Sequence, residues 1–204
     1  MARPRSSSRV GRPARRRPTT SLPPALSGGG TEREVPASGA SQAVRVLGID
    51  PGSRRTGWGL VERVGHGQRG IAAGVIRVSD KRPLQERLLE IHRQLSAVLS
   101  EHRPHAVAME DIFTARYPRA ALQLGHARGV AMLAVAQVGL EVVPYAPALV
   151  KKTVVGRGRA DKRQVAMLVS AMLGLAEVPS EDAADALAVA LTHVSAMRAL
   201  VAGR

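Results

Sequence analysis

Residues 44–59 read VRVLGIDPGSRRTGWG, and the fold follows from how this stretch is read. Val44, Val46, Leu47 and Ile49 favour a strand, and Pro51, Gly52 and Ser53 turn the chain directly behind them, so a buried strand stops abruptly here. Its last residue is Asp50. The carboxyl ends of strands in α/β folds are where ligands and reacting groups gather, so Asp50 offers a carboxylate to a site on the rim of a sheet. The same residue also suits a plainer role, capping the turn by accepting backbone N–H groups. The rest of the chain decides between the two.

Further along, residues 56–64 (TGWGLVERV) and 70–78 (GIAAGVIRV) alternate as strands do, separated by the turn Gly65-His66-Gly67, which gives an antiparallel meander. The period then changes. Leu84, Leu88, Ile91, Leu95, Val98 and Leu99 recur at helical spacing over residues 83–102, a helix that carries the chain back across the sheet. Residues 106–110 (AVAME) form a fourth strand, for which parallel pairing with the first is the economical topology, and it too ends in a carboxylate, Glu110. A loop over residues 111–118 leads to a helix over 119–138, where Gly125 and Gly129 would let a neighbour approach closely, and 140–145 is a fifth strand. Residues 148–159 (ALVKKTVVGRGR) are basic and glycine-punctuated with no assigned element; a helix capped by Asp161 follows to Leu173, and a last one runs from Pro179-Ser180 through Leu191. The pattern is an α/β fold with a five-stranded mixed sheet flanked by helices.

The last helix opens with Asp182 and Asp185, three apart and so on one face. First-turn acids are common because the helix dipole favours them, and that alone could explain the pair. Yet the helix is almost entirely alanine and aliphatic beyond Asp185 and must be buried. Packed on the sheet, it brings these two acids toward Asp50 and Glu110, which close neighbouring strands. Four carboxylates in a basic protein call for a hard cation. Oxygen-ligand Mg2+ sites of this kind serve phosphodiester cleavage, one ion activating water and another steadying the leaving oxygen.

The charge balance agrees. The chain has 204 residues, 45% hydrophobic, with a formal net charge of +14. Residues 1–43 hold eight Arg and two Glu, which accounts for +6 and leaves +8 on residues 44–204. A cationic body attracts a polyanion, with nucleic acid the usual one and an acidic membrane surface satisfying the same electrostatics. No uninterrupted apolar run of about 18 residues spans a bilayer. The absence of cysteine excludes disulfides, thiolate metal sites and a cysteine nucleophile, and fits a reducing compartment. Residues 1–43, rich in Arg, Pro, Ser and Gly without apolar periodicity, are expected to be a disordered basic extension. They could be a nucleic-acid-binding tail, a transit segment lacking amphipathic spacing, or sequence upstream of the true start.

Six segments together resemble the RuvC family of bacterial Holliday junction resolvases. They are GIDPGSRRTGWG (48–59), AMEDIF (108–113), LGHARGV (124–130), VKKTVVG (150–156), ADKRQV (160–165) and DAADALA (182–188), in the family's order across residues 44–201. The resemblance implies a ribonuclease-H-like nuclease domain over residues 44–204, cytoplasmic and bacterial, acting as a homodimer. Its implied activity is Mg2+-dependent, paired symmetric nicking of a four-way DNA junction, with two Mg2+ per subunit and Mn2+ as a substitute. The family's catalytic and metal-binding acids fall on Asp50, Glu110, Asp182 and Asp185. Its junction-wedging aromatic falls on Phe113 and its DNA-contacting lysines on Lys151 and Lys162; Lys152 clusters with these lysines, and Arg116, Arg119, Arg157 and Arg159 are equally able to bind phosphate. RuvA and RuvB, the branch-migration pair, are the implied protein partners. From the residues alone, Phe113 suits core packing as well as a wedge, and the lysines suit a solvated face. Another nuclease of the same fold, acting on hybrids or flaps, and a non-enzymatic basic DNA-binding module remain alternatives. A two-domain ATPase using D-x-G has no room in 161 residues, and the few aromatics disfavour a stacking single-strand binder.

Overall fold

The computed structural model describes residues 43–111, 118–156 and 160–202. The extension expected over 1–43 therefore lies, but for residue 43, outside the described residues, as do Phe113 and Arg116. The elements in chain order are β1 (Val44–Asp50), β2 (Arg55–Val64), β3 (Gly67–Arg77), α1 (Leu84–His102), β4 (Ala106–Glu110), α2 (Pro118–Gln137), β5 (Val142–Tyr145), α3 (Pro147–Val155), α4 (Lys162–Leu173) and α5 (Glu181–Ala202). The sheet order is β3-β2-β1-β4-β5. The first three strands pair antiparallel, and β4 pairs parallel with both β1 and β5. This is the mixed topology expected, with α1 as the crossover.

Three boundaries differ from the expectation. β3 starts at Gly67, which pairs with Val64, and Gln68 and Arg69 pair with Arg63 and Glu62, so the turn narrows to Gly65-His66. Residues 147–155 fold as α3, a helix the lysines and glycines had obscured; Pro147 opens it and Gly156, at φ +71°, closes it. α5 continues to Ala202 and is, by length and composition, apolar enough to cross a bilayer, which a count of uninterrupted apolar residues does not register. Much of that helix is buried against the sheet instead. Asp161 caps α4 as expected, in a reciprocal box with Gln164.

Each face of the sheet carries its own core. On one, Leu47, Ile49, Leu60 and Met109 meet Ile91, Leu95 and Leu99 of α1 and Ala131, Ala134 and Val135 of α2. On the other, α5 lies on β1, β2 and β4 through Leu187, Leu191 and Val194, with α3 and α4 against it. What lets α5 lie so close is a set of glycines. A Cβ on Gly48 would fall on the Ala186 carbonyl oxygen and 2.7 Å from Ala190 N, and one on Gly59 would lie 2.5 Å from Leu187 Cγ. Gly125 and Gly129 do not play this part: both are exposed and nothing in the described chain faces them.

Because the atoms facing Gly48 are backbone and cannot swing away, Gly48→Ala should destabilise the protein by about 1–3 kcal/mol or more. A lowered midpoint in urea with an unchanged slope is the expected result.

Candidate active site

β1 and β4 are neighbours in parallel register, Ile49 opposite Met109, so the next residue of each, Asp50 and Glu110, emerge side by side at the carboxyl edge. Asp182 and Asp185 occupy the first turns of α5. Their height over the sheet is set by Gly57, the register partner of Asp50, where a Cβ would collide with the Asp182 carbonyl oxygen. The turn behind β1 has its own clasp. Thr56 Oγ1 donates to Gly52 O at 2.9 Å and accepts from Gly52 N at 3.4 Å, while Arg87 of α1, almost fully buried, donates to Ser53 O at 3.0 Å. These bonds hold the turn through the side chains of Thr56 and Arg87.

The four acids act on one another electrostatically. Burial, then the charges of Glu110, Asp185 and Asp182, push the Asp50 carboxyl up to about 7, with Lys162 opposing. Glu110 is raised by burial and then by Asp185. Burial also raises Asp185, whose largest charge interaction is the opposing one with Lys162, ahead of repulsion from Asp182 and Glu181. Lys162 Nζ stands 3.6 Å from Glu181 and 4.0 Å from Asp185, and the Arg55 guanidinium 3.7 Å from Asp182. Desolvated, mutually repelling carboxylates with cations drawn to their flanks form an environment that a divalent ion would stabilise. Among the described residues, however, no three acidic or histidine side chains close on one ion by themselves.

Of the expected DNA contacts within the described residues, Lys151, Lys152 and Lys162 are exposed on α3 and α4, and Arg119 is exposed in the first turn of α2. Lys151 and Lys162 line a cavity of about 220 Å3 that also contains Glu110 and Asp185 and has Val150, Val154 and Ala188 among its walls. Other residues that hold the site were not singled out from the sequence. Arg128 of α2 donates to the Glu110 carbonyl oxygen and pairs with Asp111 at 3.3 Å, fixing the end of β4. Tyr145 closes β5 opposite Glu110, and its hydroxyl meets Nδ1 of His193 on α5 at 2.9 Å. Burial lowers the pKa of His193, which favours its neutral form. LGHARGV carried Arg128 in plain view, but nothing in its spacing says that an arginine after an alanine turns inward.

The sequence profile described as "Crossover junction endodeoxyribonuclease RuvC" matches residues 46–193. A protein of that name from Rhodopseudomonas palustris is 57% identical over 152 residues, covering 74% of this chain and 87% of the relative. One from Sorangium cellulosum is 50% identical over 153 residues, covering 75% and 86%. Among solved structures, "T. thermophilus RuvC in complex with Holliday junction substrate" superposes with a TM-score of 0.68 at 36% identity, covering 76% of this chain and 96% of that one. The yeast mitochondrial Holliday junction resolvase Ydc2, 16% identical with a TM-score of 0.54, shares the fold.

The raised Asp50 carboxyl has a consequence for stability. A folded-state pKa of about 7 against an ordinary 3.8 means that the native state binds the extra proton. Stability is then favoured at low pH and falls as pH rises from about 4 to about 7. In EDTA, Asp50→Asn should melt above the unsubstituted protein at pH 8, and the gap should close toward pH 4, as followed by thermal denaturation across pH.

Proposed function

The chain belongs to the RuvC family of crossover junction endodeoxyribonucleases, and from that premise we propose that it resolves four-way DNA junctions by paired, symmetric nicks in strands of like polarity during recombination and repair. The observation that carries this reading is the gathering of Asp50, Glu110, Asp182 and Asp185 at one sheet edge, where burial first and then the charges of Glu110, Asp185 and Asp182 lift the Asp50 carboxyl to about 7. The nuclease domain is residues 44–204, working in the bacterial cytoplasm.

Asp50, Glu110, Asp182 and Asp185 hold the divalent ions, two Mg2+ per subunit with Mn2+ as a substitute. When bound, the ions supply an activated water and charge stabilisation for the departing oxygen. The chain's own residues do the rest. Arg128 and the β1 clasp keep the two strand-end carboxylates in place, so that the site is built on rigid elements rather than on a loop. Lys162, drawn to Asp185 and Glu181, is free to turn to a phosphate once those charges are compensated, and Lys151 stands beside it along the same cavity. Phe113 opens the stack near the crossover, and Lys152, Arg116 and Arg119 hold flanking phosphates.

Paired nicks require two sites related by a two-fold axis, which a homodimer supplies. The outer face of α2 supports this arrangement. Leu122, Met132 and Leu133 are 63%, 45% and 54% exposed there, interleaved with Gly125 and Gly129, whose missing side chains leave room for a second copy of the helix. RuvA and RuvB are the proposed partners in branch migration, on the strength of family membership.

A panel of four-way junction, RNA–DNA hybrid, flap and linear duplex tests the substrate. Mg2+-dependent paired nicking of the junction alone is expected; preference for hybrid or flap would reassign the enzyme, and no nicking at all would leave a DNA-binding module. Asp50→Asn should abolish cleavage while junction binding persists in a gel-shift assay. Leu133→Glu should convert dimers to monomers in sedimentation with the helical circular dichroism retained.

A further inference from the structure

Arg55 and Arg77 face each other directly across β2 and β3. Like charges opposite one another in an antiparallel pair are destabilising, so this pairing at the end of a sheet needs a reason. Their position supplies one. Asp50 is the register partner of Gly57, and Arg55 lies two residues before Gly57 on the same face, so Arg77, its partner, shares that face as well. It is the face on which α5 sits, with Asp182 over Gly57. Across the carboxyl edge of β1 and β4 the order therefore runs Arg77, Arg55, Asp182, Asp50, Glu110.

Neither arginine has a structural duty that explains it. Arg55 is 65% exposed, and its one ion pair, with Asp182 at 3.7 Å, is of the surface kind that contributes little to stability. Asp80, the other acid at this end, is paired with Arg54 at 3.4 Å. Arg77 is exposed and, among the described residues, forms no ion pair. The lysines already assigned to DNA, Lys151 and Lys162, lie on the opposite flank, along the cavity with Glu110 and Asp185. Two strand spacings, about 10 Å, separate β1 from β3, which is on the order of three nucleotide rises along one DNA strand.

We propose that Arg55 and Arg77 form a phosphate-binding pair for the cleaved strand on the β3 side of the carboxylates, so that the strand crosses the sheet edge from Lys151 and Lys162 to the two arginines. The inference rests on the junction-cleaving reading above. Arg55 exchanges Asp182 for a backbone phosphate when the strand arrives, and Arg77 takes a second oxygen or the adjacent phosphate. Guanidinium groups suit this because they bind phosphate oxygens bidentately.

The test measures junction binding by fluorescence anisotropy in EDTA, so that cleavage does not intervene, over a range of salt concentrations. The Arg55→Ala, Arg77→Ala double variant should bind about tenfold more weakly, with a salt dependence shallower by one to two phosphates' worth, roughly 0.9 to 1.8 in log–log slope. The Arg55→Lys, Arg77→Lys variant should recover most of both. In Mg2+ the alanine variant should raise KM more than it lowers kcat. An unchanged affinity and slope would overturn the proposal, as would a loss that lysine does not recover or a fall in kcat alone, which would make Arg55 only a prop for Asp182. Unsubstituted protein that neither prefers nor nicks junctions would instead sink the functional reading itself; nicking by the unsubstituted protein with indifferent variants would sink only this inference.

Discussion

The distance between α5 and the sheet is the constraint on which the site depends. A helix usually stands on a sheet at the height its side chains dictate, and the acids at its start would then sit a side chain's length above those of the strands. Here the strand residues under the helix are Gly48, Gly57 and Gly59; helix backbone occupies the space that side chains on Gly48 and Gly57 would take, and the Leu187 side chain that of Gly59. The close approach brings the first turn of α5 down to the level of Asp50 and Glu110. It also accounts for the alanines directly over Gly48, Ala186 and Ala190, where a larger side chain would lift the helix again. The glycines of residues 48–59 thus serve as a helix seat, and the turn glycine, Gly52, is the exception among them.

That packing has an electrostatic cost. Bringing carboxylates together in a partly dry crevice opposes their ionisation, and the shifts on Asp50, Glu110 and Asp185 all run in the direction that says so. The hydrophobic contacts of α5 with both neighbouring helices and the sheet hold the arrangement against this repulsion, because much of the helix is buried far from the acids. Lys162 and Arg55 lower the cost at the two flanks without entering between the strand-end acids. A site so arranged carries a local cost that a divalent cation would relieve, the usual relation between local strain and function.

The strand ends were legible because two independent periodicities converge on them: alternation ends at Asp50 and at Glu110, and a helical pattern begins just before Asp182. The topology followed from one helix between strands three and four. What stayed hidden had specific causes. α3 was obscured because Lys151, Lys152 and Gly156 resemble a loop in composition, although Pro147 at its first turn is a helix-start signal. Arg128, Arg87 and the Tyr145–His193 contact are pairings between residues 18 to 48 positions apart, those of Arg128 and Arg87 with backbone carbonyls, and no local spacing encodes them. The glycines 125 and 129 illustrate the converse. Their spacing signals close approach to a neighbour, but among the described residues nothing lies within 4 Å of where their side chains would be, and the apolar side chains of Leu122, Met132 and Leu133 beside them are exposed.

Affinity and chemistry draw on different residues. The excess of basic groups on residues 44–204 acts at long range and raises the local concentration of any polyanion, whatever its sequence or shape. The acid cluster acts in the opposite sense: at short range it repels the phosphate that must be cut. A backbone drawn to this surface without divalent cations is therefore held by the flanks and kept off the centre. Cations held at the carboxylates would reverse that local repulsion while leaving the long-range attraction almost untouched, since a few charges change little in a field set by many. Their part would then be to place a phosphate rather than to recruit the DNA. Selectivity for a junction has to come from geometry instead, because neither the long-range field nor the local acid cluster distinguishes one arrangement of DNA strands from another.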